Sequence, residues 1–423
     1  MTTPARVPRD REHDYTEEQA ARRRSFVTEQ TGAVLDHVGH YSVDLASLPG
    51  NVENFTGVAQ VPIGLAGPLH VDGEHAKGDF YVPLATTEGT LVASYNRGMR
   101  LLGECGGVRT TVVDDHMQRA PAFIFEHALE AREFGRWVDE HLEDIRTAAE
   151  ATTRSGKLTY IGQHQIGNLR YLRVNYTTGD AAGQNMTGKA TLAACEWIQD
   201  NHPDRPRFVL SGAIDTDKKH SQINMLMTRG KRVVAEAVIK DEVLQRVMGV
   251  RTRDLFEYRQ IGMVGAFMSG AAYNGAHAAN GLTAIFIATG QDVANVAESH
   301  AGVTYAQLRE NGDYYWSTTL TSLIVATYGG GTGLATQREC LELMGCYGAG
   351  KVQKFAEICA ATVLAGDVSL TSAILAGDWV TSHDALGRNK YTRSAGRVGA
   401  AGRTARPVPR SAWSPATRRR VRR

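Results

Sequence analysis

The sequence predicts an α+β fold: a large, helix-rich body into which a small ferredoxin-like α+β domain is inserted. Three observations lead there. At 423 residues the chain exceeds what one core usually supports, which implies two or three domains. Between Pro121 and Val209 the pattern runs strand, helix, strand, strand, helix, strand, the split βαβ arrangement. The chain holds 44 glycines, concentrated from Gly262 onward, which suits close packing or ligand approach.

In chain order, Met1–Asp14 is polar and expected to fray. Tyr15–Leu35 is charged and helix-prone. Pro62–Val71 and Gly78–Val82 read as strands. Glu88–Leu102 places Leu91, Val92, Tyr95, Met99 and Leu102 at helical spacing. Within the insertion, Phe123–Phe125, Leu158–Ile161, Leu169–Tyr176 and Phe208–Leu210 read as strands, with Leu129–Ala149 and Gly188–Asp200 as helices. Pro203 ends the second of these. Gly262–Thr289 is expected as a tightly packed buried helix and Tyr314–Thr327 as strands. Ala335–Met344, Gln353–Ala365 and Val368–Val380 are expected as three further helices. The resulting division is an N-terminal helical region at 1–56, a large domain at 57–120 and 210–392, the insertion at 121–209, and a disordered basic tail at 393–423.

Composition narrows the function classes. Hydrophobic content of 42% and charged content of 22% are those of an ordinary globular protein. The net charge of +2 hides an asymmetry, because Arg388–Arg423 holds twelve Lys or Arg and no acid, leaving 2 − 12 = −10 for the rest. An acidic body argues against specific nucleic-acid binding. The five cysteines form no C-x-x-C pair, so neither a structural zinc site nor a disulfide framework is expected. No apolar run is read as long enough to span a bilayer, and the N-terminus lacks the apolar core of a signal peptide. A cytoplasmic protein without a transmembrane segment is the expectation.

Four polar stretches stand out. Ser211–Lys219 reads S-G-A-I-D-T-D-K-K and follows a short strand; such an acid–base run is ordinarily a solvated turn. Thr86-Thr87-Glu88-Gly89 precedes a helix and on its own is a capping segment. Gly290-Gln291-Asp292 ends an apolar run, and Gly329-Gly330-Gly331-Thr332 can be a flexible turn. Gly345 to Lys351 imitates a phosphate loop, but Val352 stands where a hydroxyl is needed. No G-x-G-x-x-G follows an early strand, and no G-x-S-x-G elbow is present.

Together these stretches resemble hydroxymethylglutaryl-coenzyme A (HMG-CoA) reductase. The match includes Glu53-Asn54, Pro62–Leu69, Pro83–Gly89, Leu91–Ser94, Asn96-Arg97-Gly98, Asp217-Lys218-Lys219, His277–Asn280, Gly290–Asp292, Thr327 with Gly329–Thr332, and Ser382-His383, and runs to about Arg388. The resemblance implies two reductions of HMG-CoA by NADPH, yielding mevalonate and CoA. It implies Glu88, Lys218, Asp292 and His383 as catalytic residues: Lys218 as the cation, Glu88 as the acid, Asp292 coupling the two, and His383 as proton donor to the thiolate. For Glu88 to hold a proton, burial and the charge of Asp292 are expected around it. Ser94, Asn96, Arg97, Arg119, Ser211, Asp217, Lys219 and Asn280 are implied for substrate, Arg119 because guanidinium pairs bidentately with a free carboxylate, and Asn280 beside the lysine. Asp180, Gly183, Asn185, Gly329, Gly330, Gly331 and Arg388 are implied for the dinucleotide, on the inserted domain and its facing loops. Ala182 and Gln184 depart from the family pattern, where Met is frequent. Arg154 aligns where the family meets the 2′-phosphate of NADPH, with a surface arginine as the alternative. No metal is expected. A homodimer or larger assembly, with active sites near subunit contacts, is implied. An acyl-CoA hydrolase or ligase and a silent CoA-binding scaffold stand as alternatives, and NADPH against NADH stays open.

Overall fold

The computed structural model describes residues 6–10 and 12–377. Pro8 and Asp14 are tied down by the buried Arg23 through their carbonyls and the Asp14 carboxylate, ahead of α1 (Glu17–Thr31). Thr16 caps its start through the Gln19 N–H, and Gly32 in the left-handed region ends it. A hairpin follows, β1 (Ile63–Gly73) and β2 (Lys77–Ala85), then α2 (Leu91–Glu104) and β3 (Val108–Arg119).

The next segment holds β4 (Ala122–Ile124), α3 (Ala128–Glu140), α4 (Leu142–Glu150), β5 (Lys157–Ile166), β6 (Leu169–Thr177), α5 (Gln184–Asn201) and β7 (Arg207–Val209). Its strands lie in the order β7-β4-β6-β5, every pairing antiparallel. They enclose a core of their own, with Phe123, Phe134, Leu172, Tyr176 and Ile198 buried between sheet and helices. The helix expected over Leu129–Ala149 is two, broken at His141.

The remainder is α6 (Gln222–Leu226), β8 (Gly230–Ile239), α7 (Asp241–Met248), α8 (Thr252–Ser269), α9 (Ala278–Thr289), α10 (Val296–Ser299), β9 (Gly302–Leu308), β10 (Tyr314–Leu323), α11 (Ala335–Leu343) and α12 (Val352–Ala376). One ten-stranded mixed sheet, antiparallel apart from the β1–β3 contact, runs through the molecule. β3 joins its halves: residues 109–116 pair with β8 and Met117–Arg119 pair with β6.

Two expectations are corrected in the large core. Gly262–Thr289 is not one buried helix. Gly270 terminates α8 in a left-handed turn, and the end of α8 is exposed, with Phe267 at 88%. Only α9 is buried. Conversely, Gln353–Ala365 and the described part of Val368–Val380 form the single 25-residue α12. Gly366 and Asp367 do not break it. Gly366 faces the Tyr95 ring, and the buried Asp367 accepts hydrogen bonds from the Tyr273 hydroxyl and from the Ala276 and His277 N–H groups. By length and composition α12 could cross a membrane, contrary to the sequence reading, but 83% of its most apolar 18-residue stretch is buried inside the protein. Its partner α2 approaches so closely that a Cβ on Gly98 would fall 1.9 Å from the Ala365 carbonyl oxygen.

Candidate active site

Lys218 lies on the loop between β7 and α6. Ala213, Thr216 and Lys218 all have positive φ (67°, 59° and 54°), a region that L-residues avoid because Cβ crowds the backbone. Such a loop persists only where its surroundings over-determine it. Beneath it, Asn224 donates to the Thr216 hydroxyl at 2.7 Å and accepts from Arg173 at 2.8 Å. Arg229, fully buried, donates to Asp217 at 2.7 Å and to Glu298 at 2.9 Å. The other Glu298 oxygen accepts the Lys218 backbone N–H at 3.1 Å. Burial pushes the Glu298 carboxyl up to about 7, against the pull of Arg229 and of the Lys218 amide.

The Lys218 ammonium meets Asp292 at 2.7 Å, just past the left-handed Gly290 that ends α9. Both side chains are a little under half exposed, at 42% and 45%. An ion pair that open contributes little to stability, but it leaves the cation accessible to a ligand. Its hydrogen bond to Asp292 raises the lysine pKa, with smaller contributions from Asp217 and Glu298 and an opposing one from partial burial. The ammonium is therefore charged at neutral pH. Elsewhere on the same loop, Ser211 donates to Asp215 at 3.1 Å and Arg119 reaches the same carboxylate at 3.0 Å, with Asp217 at 4.0 Å from the guanidinium. Lys219 is exposed and donates to the Asp217 carbonyl at 2.9 Å.

Glu88 lies elsewhere. Its N–H bonds the Thr86 hydroxyl at 2.9 Å, and Asn280, in the first turn of α9, donates to both its carboxylate oxygens at 3.1 and 2.9 Å. The pair opens onto a cavity of about 450 Å³ lined by Thr86, Thr87, Glu88, Ala279, Asn280 and Thr283. Glu88 is exposed, against the expected burial, because the turn it occupies stands at this cleft. Asn280 holds the glutamate rather than the lysine. The Glu88–Asn280 hydrogen bonds and the Lys218–Asp292 ion pair sit at opposite ends of the 12-residue α9, on the order of 15 Å apart at its rise per residue.

The residues of α2 face α12 and β1. Ser94 lies 3.0 Å from the Ser369 hydroxyl, Arg97 donates to the Ser369 carbonyl at 2.9 Å, and Asn96 accepts the Gly67 N–H at 2.8 Å.

The residues assigned to the dinucleotide fall into two groups. Gly183 begins α5 with φ of 84°, where a Cβ would strike Thr178, and Asn185 is exposed in the first turn. Arg154 is exposed in the α4–β5 turn. The Asp180 carboxylate accepts N–H bonds from Gly350, Lys351 and Val352 at 2.8, 3.0 and 3.2 Å, and its carbonyl accepts from Thr327 at 2.9 Å. Burial alone would raise the Asp180 carboxyl, but these donors hold it below the usual range. The imitation phosphate loop thus spends its N–H groups on a protein carboxylate. Following Thr327, Gly329 and Gly330 have open space around them, while Gly331 packs on Gly290 so tightly that a Cβ on Gly290 would lie 2.2 Å from the Gly331 oxygen. The glycine loop is thereby set against the segment that carries Asp292.

His383 and Arg388 lie outside the described residues. Among the described residues, one group has ligand-type side chains close enough for a metal: Glu74, His75 and Glu357. The Glu357 carboxylate there accepts three backbone N–H groups of the β1–β2 turn. Sequence reasoning missed Arg229, Glu298 and the bridging role of Gln184, which donates to Asp217 and Asn295, both at 2.9 Å. The departure at Gln184 was visible, but its partners were not.

The family profile described as hydroxymethylglutaryl-coenzyme A reductase matches residues 19–388. The 3-hydroxy-3-methylglutaryl-coenzyme A reductase of Pyrococcus horikoshii is 44% identical over 374 residues, covering 86% of this chain and 91% of that protein. The reductase of Aeropyrum pernix is 45% identical over 379 residues, covering 88% and 90%. Among solved structures, the class II reductase of Streptococcus pneumoniae bound to NADPH superposes with a TM-score of 0.63 at 17% identity, over 86% of this chain and 99% of that one, a likeness of fold. By the extent of the profile match and the identity to the curated relatives, this chain belongs to the hydroxymethylglutaryl-coenzyme A reductase family.

Proposed function

We propose that the protein reduces HMG-CoA to mevalonate with two equivalents of NADPH, releasing CoA, as a step of isoprenoid synthesis. The observation that carries this reading is the Lys218–Asp292 pair, an accessible cation held at 2.7 Å on a strained loop beside Arg119 and Ser211. Reduction of a thioester places negative charge on the carbonyl oxygen, and a preorganised cation stabilises it. Lys218 supplies that charge without a metal. Arg119 suits the free carboxylate of the substrate. When the first adduct collapses, the CoA thiolate leaves and His383 donates its proton. Glu88, oriented by Asn280, is assigned the proton for the second alkoxide; it is exposed within one copy, so the burial and negative charge that let it hold that proton come from the partner chain's lysine loop and Asp292.

The surroundings fit NADPH. Gly329 and Gly330 leave room for a ligand beside the Asp292 segment, and the α5 N-terminus offers Gly183, Asn185 and its helix dipole. Bound NADPH supplies a hydride in each step. The 121–209 segment is read as a ferredoxin-like dinucleotide-binding domain, supported by its β7-β4-β6-β5 order and separate core. Asp180 acts there by docking this segment to α12, Arg154 reads the 2′-phosphate, and Arg388 completes the site. The body then comprises residues 57–120 and 210–392, with 1–56 as its N-terminal region and 393–423 as tail.

A homodimer completes the site. Glu88 and Lys218 lie at opposite ends of α9, too far apart to serve one substrate carbonyl within one copy. Two copies can bring one chain's glutamate to its partner's lysine. The five cysteines are unpaired, which supports a reducing, cytoplasmic setting. The direct test follows NADPH absorbance with and without HMG-CoA. Substrate-dependent loss is expected; its absence rejects the reductase reading.

A further inference from the structure

Resting on that reading, we infer that Glu298 is a positioning residue for the reaction: it fixes Lys218 in its left-handed backbone conformation so that the ammonium stays on Asp292.

The short segment after α9 grips one lysine at two points. Asp292 takes the ammonium at 2.7 Å, and six residues later Glu298 takes the same residue's backbone N–H at 3.1 Å. A long-chain residue with φ of 54° is disfavoured in isolation, so something must select this conformation. The acceptor that does so is almost wholly buried, at 1% exposure, and is held in turn by Arg229 at 2.9 Å. Arg229 carries the constraint onward to Asp217 at 2.7 Å and to the Gln118 carbonyl at 3.0 Å, so the lysine loop, the β3 end and α10 share one anchor. A loop needing only to turn here would be served by glycine. Charge is what glycine lacks, and Glu298 allows a charged side chain to occupy a glycine-like conformation. Glu298 itself touches no reacting atom.

The test uses the full chain with Glu298→Ala and Glu298→Gln. Gln keeps an oxygen for the Lys218 N–H; Ala keeps none. Two readouts are independent of turnover: amide hydrogen exchange over residues 211–221, and the rate at which an amine-reactive reagent modifies Lys218. Both should rise in Glu298→Ala, with β8 and α9 unchanged, and rise less in Glu298→Gln. A catalytic cation displaced by even an ångström loses roughly 10²-fold in rate, so kcat should fall by about that factor in Glu298→Ala while KM for HMG-CoA stays within about threefold. Exchange and modification rates equal to wild type in both variants would overturn the inference. So would loosening spread evenly through β8 and α9 in both. If the wild type fails to oxidise NADPH with HMG-CoA while the loop readouts shift as described, the reductase reading falls and the positioning role stands.

Discussion

Lys218 combines a backbone conformation suited to glycine with the charged side chain that the proposed chemistry needs. Replacing it by alanine should abolish both reductions, a loss of about 10²–10³ or more for a preorganised oxyanion partner, with the fold intact. Lys218→Gly should be equally inactive yet more stable than Lys218→Ala by about 1 kcal/mol, because glycine adopts positive φ without a Cβ penalty. Denaturant unfolding of the two variants checks this; equal stabilities would mean that the strain is not there. Glu298 makes a pH prediction. Its folded pKa, about 7, lies above the ordinary 4.5, so its contribution to stability is complete below about 4.5 and is lost as pH rises through about 7. The stability difference between wild type and Glu298→Gln should decline across that window and be flat outside it. Lys218, Asp292 and Glu88 were singled out in the sequence because each sits in a run of residues matching the family, and their proposed roles rest on that resemblance. Arg229 and Glu298 were not: they come from separate segments and acquire meaning only by converging beneath the loop.

At the scale of elements, β3 was invisible to periodicity. Arg109, Asp114, Asp115 and His116 break the apolar alternation because the strand passes between two cores and spends its polar residues on neighbours, such as Asp115 on the buried Lys231 at 3.1 Å. α12 was split in two because Gly366 and Asp367 read as a stop, yet a ring and a loop supply the partners that keep both inside the helix. The α2 and β1–β2 segments and the 121–209 pattern were readable since local alternation and spacing there match burial. Asp180 ties the 121–209 segment to the start of α12 and to Thr327 beyond β10. Asp180→Ala should cost about 1–2 kcal/mol, as for loss of a helix cap, and should raise KM for NADPH by loosening the α5 entry. An unchanged melting temperature would remove the docking role. Arg154→Ala should raise KM for NADPH more than for NADH, since only the former carries the 2′-phosphate; equal changes would show that the arginine does not read it.

For the whole molecule, the separation of Glu88 from Lys218 makes an unusual demand. Mixed under conditions that allow subunit exchange, inactive Glu88→Ala and Lys218→Ala chains should recover about a quarter of wild-type activity, because half of randomly assorted dimers are mixed and each mixed dimer holds one intact site. No recovery despite proven exchange would place both residues in one copy's site. Residues 121–209 enclose a hydrophobic cluster of their own, and the sequence reading presented this segment as a self-contained inserted block. The sheet says otherwise. Met117–Arg119 of β3 pair with β6, so the last rung of one core's strand is also an inner rung of the other's. Cut out alone at residue 121, such a unit would carry a bare stretch on an inner strand, the kind of edge that recruits stray strands. Recombination at the apparent boundary would sever a shared ladder, and a viable graft would have to bring β3 with it.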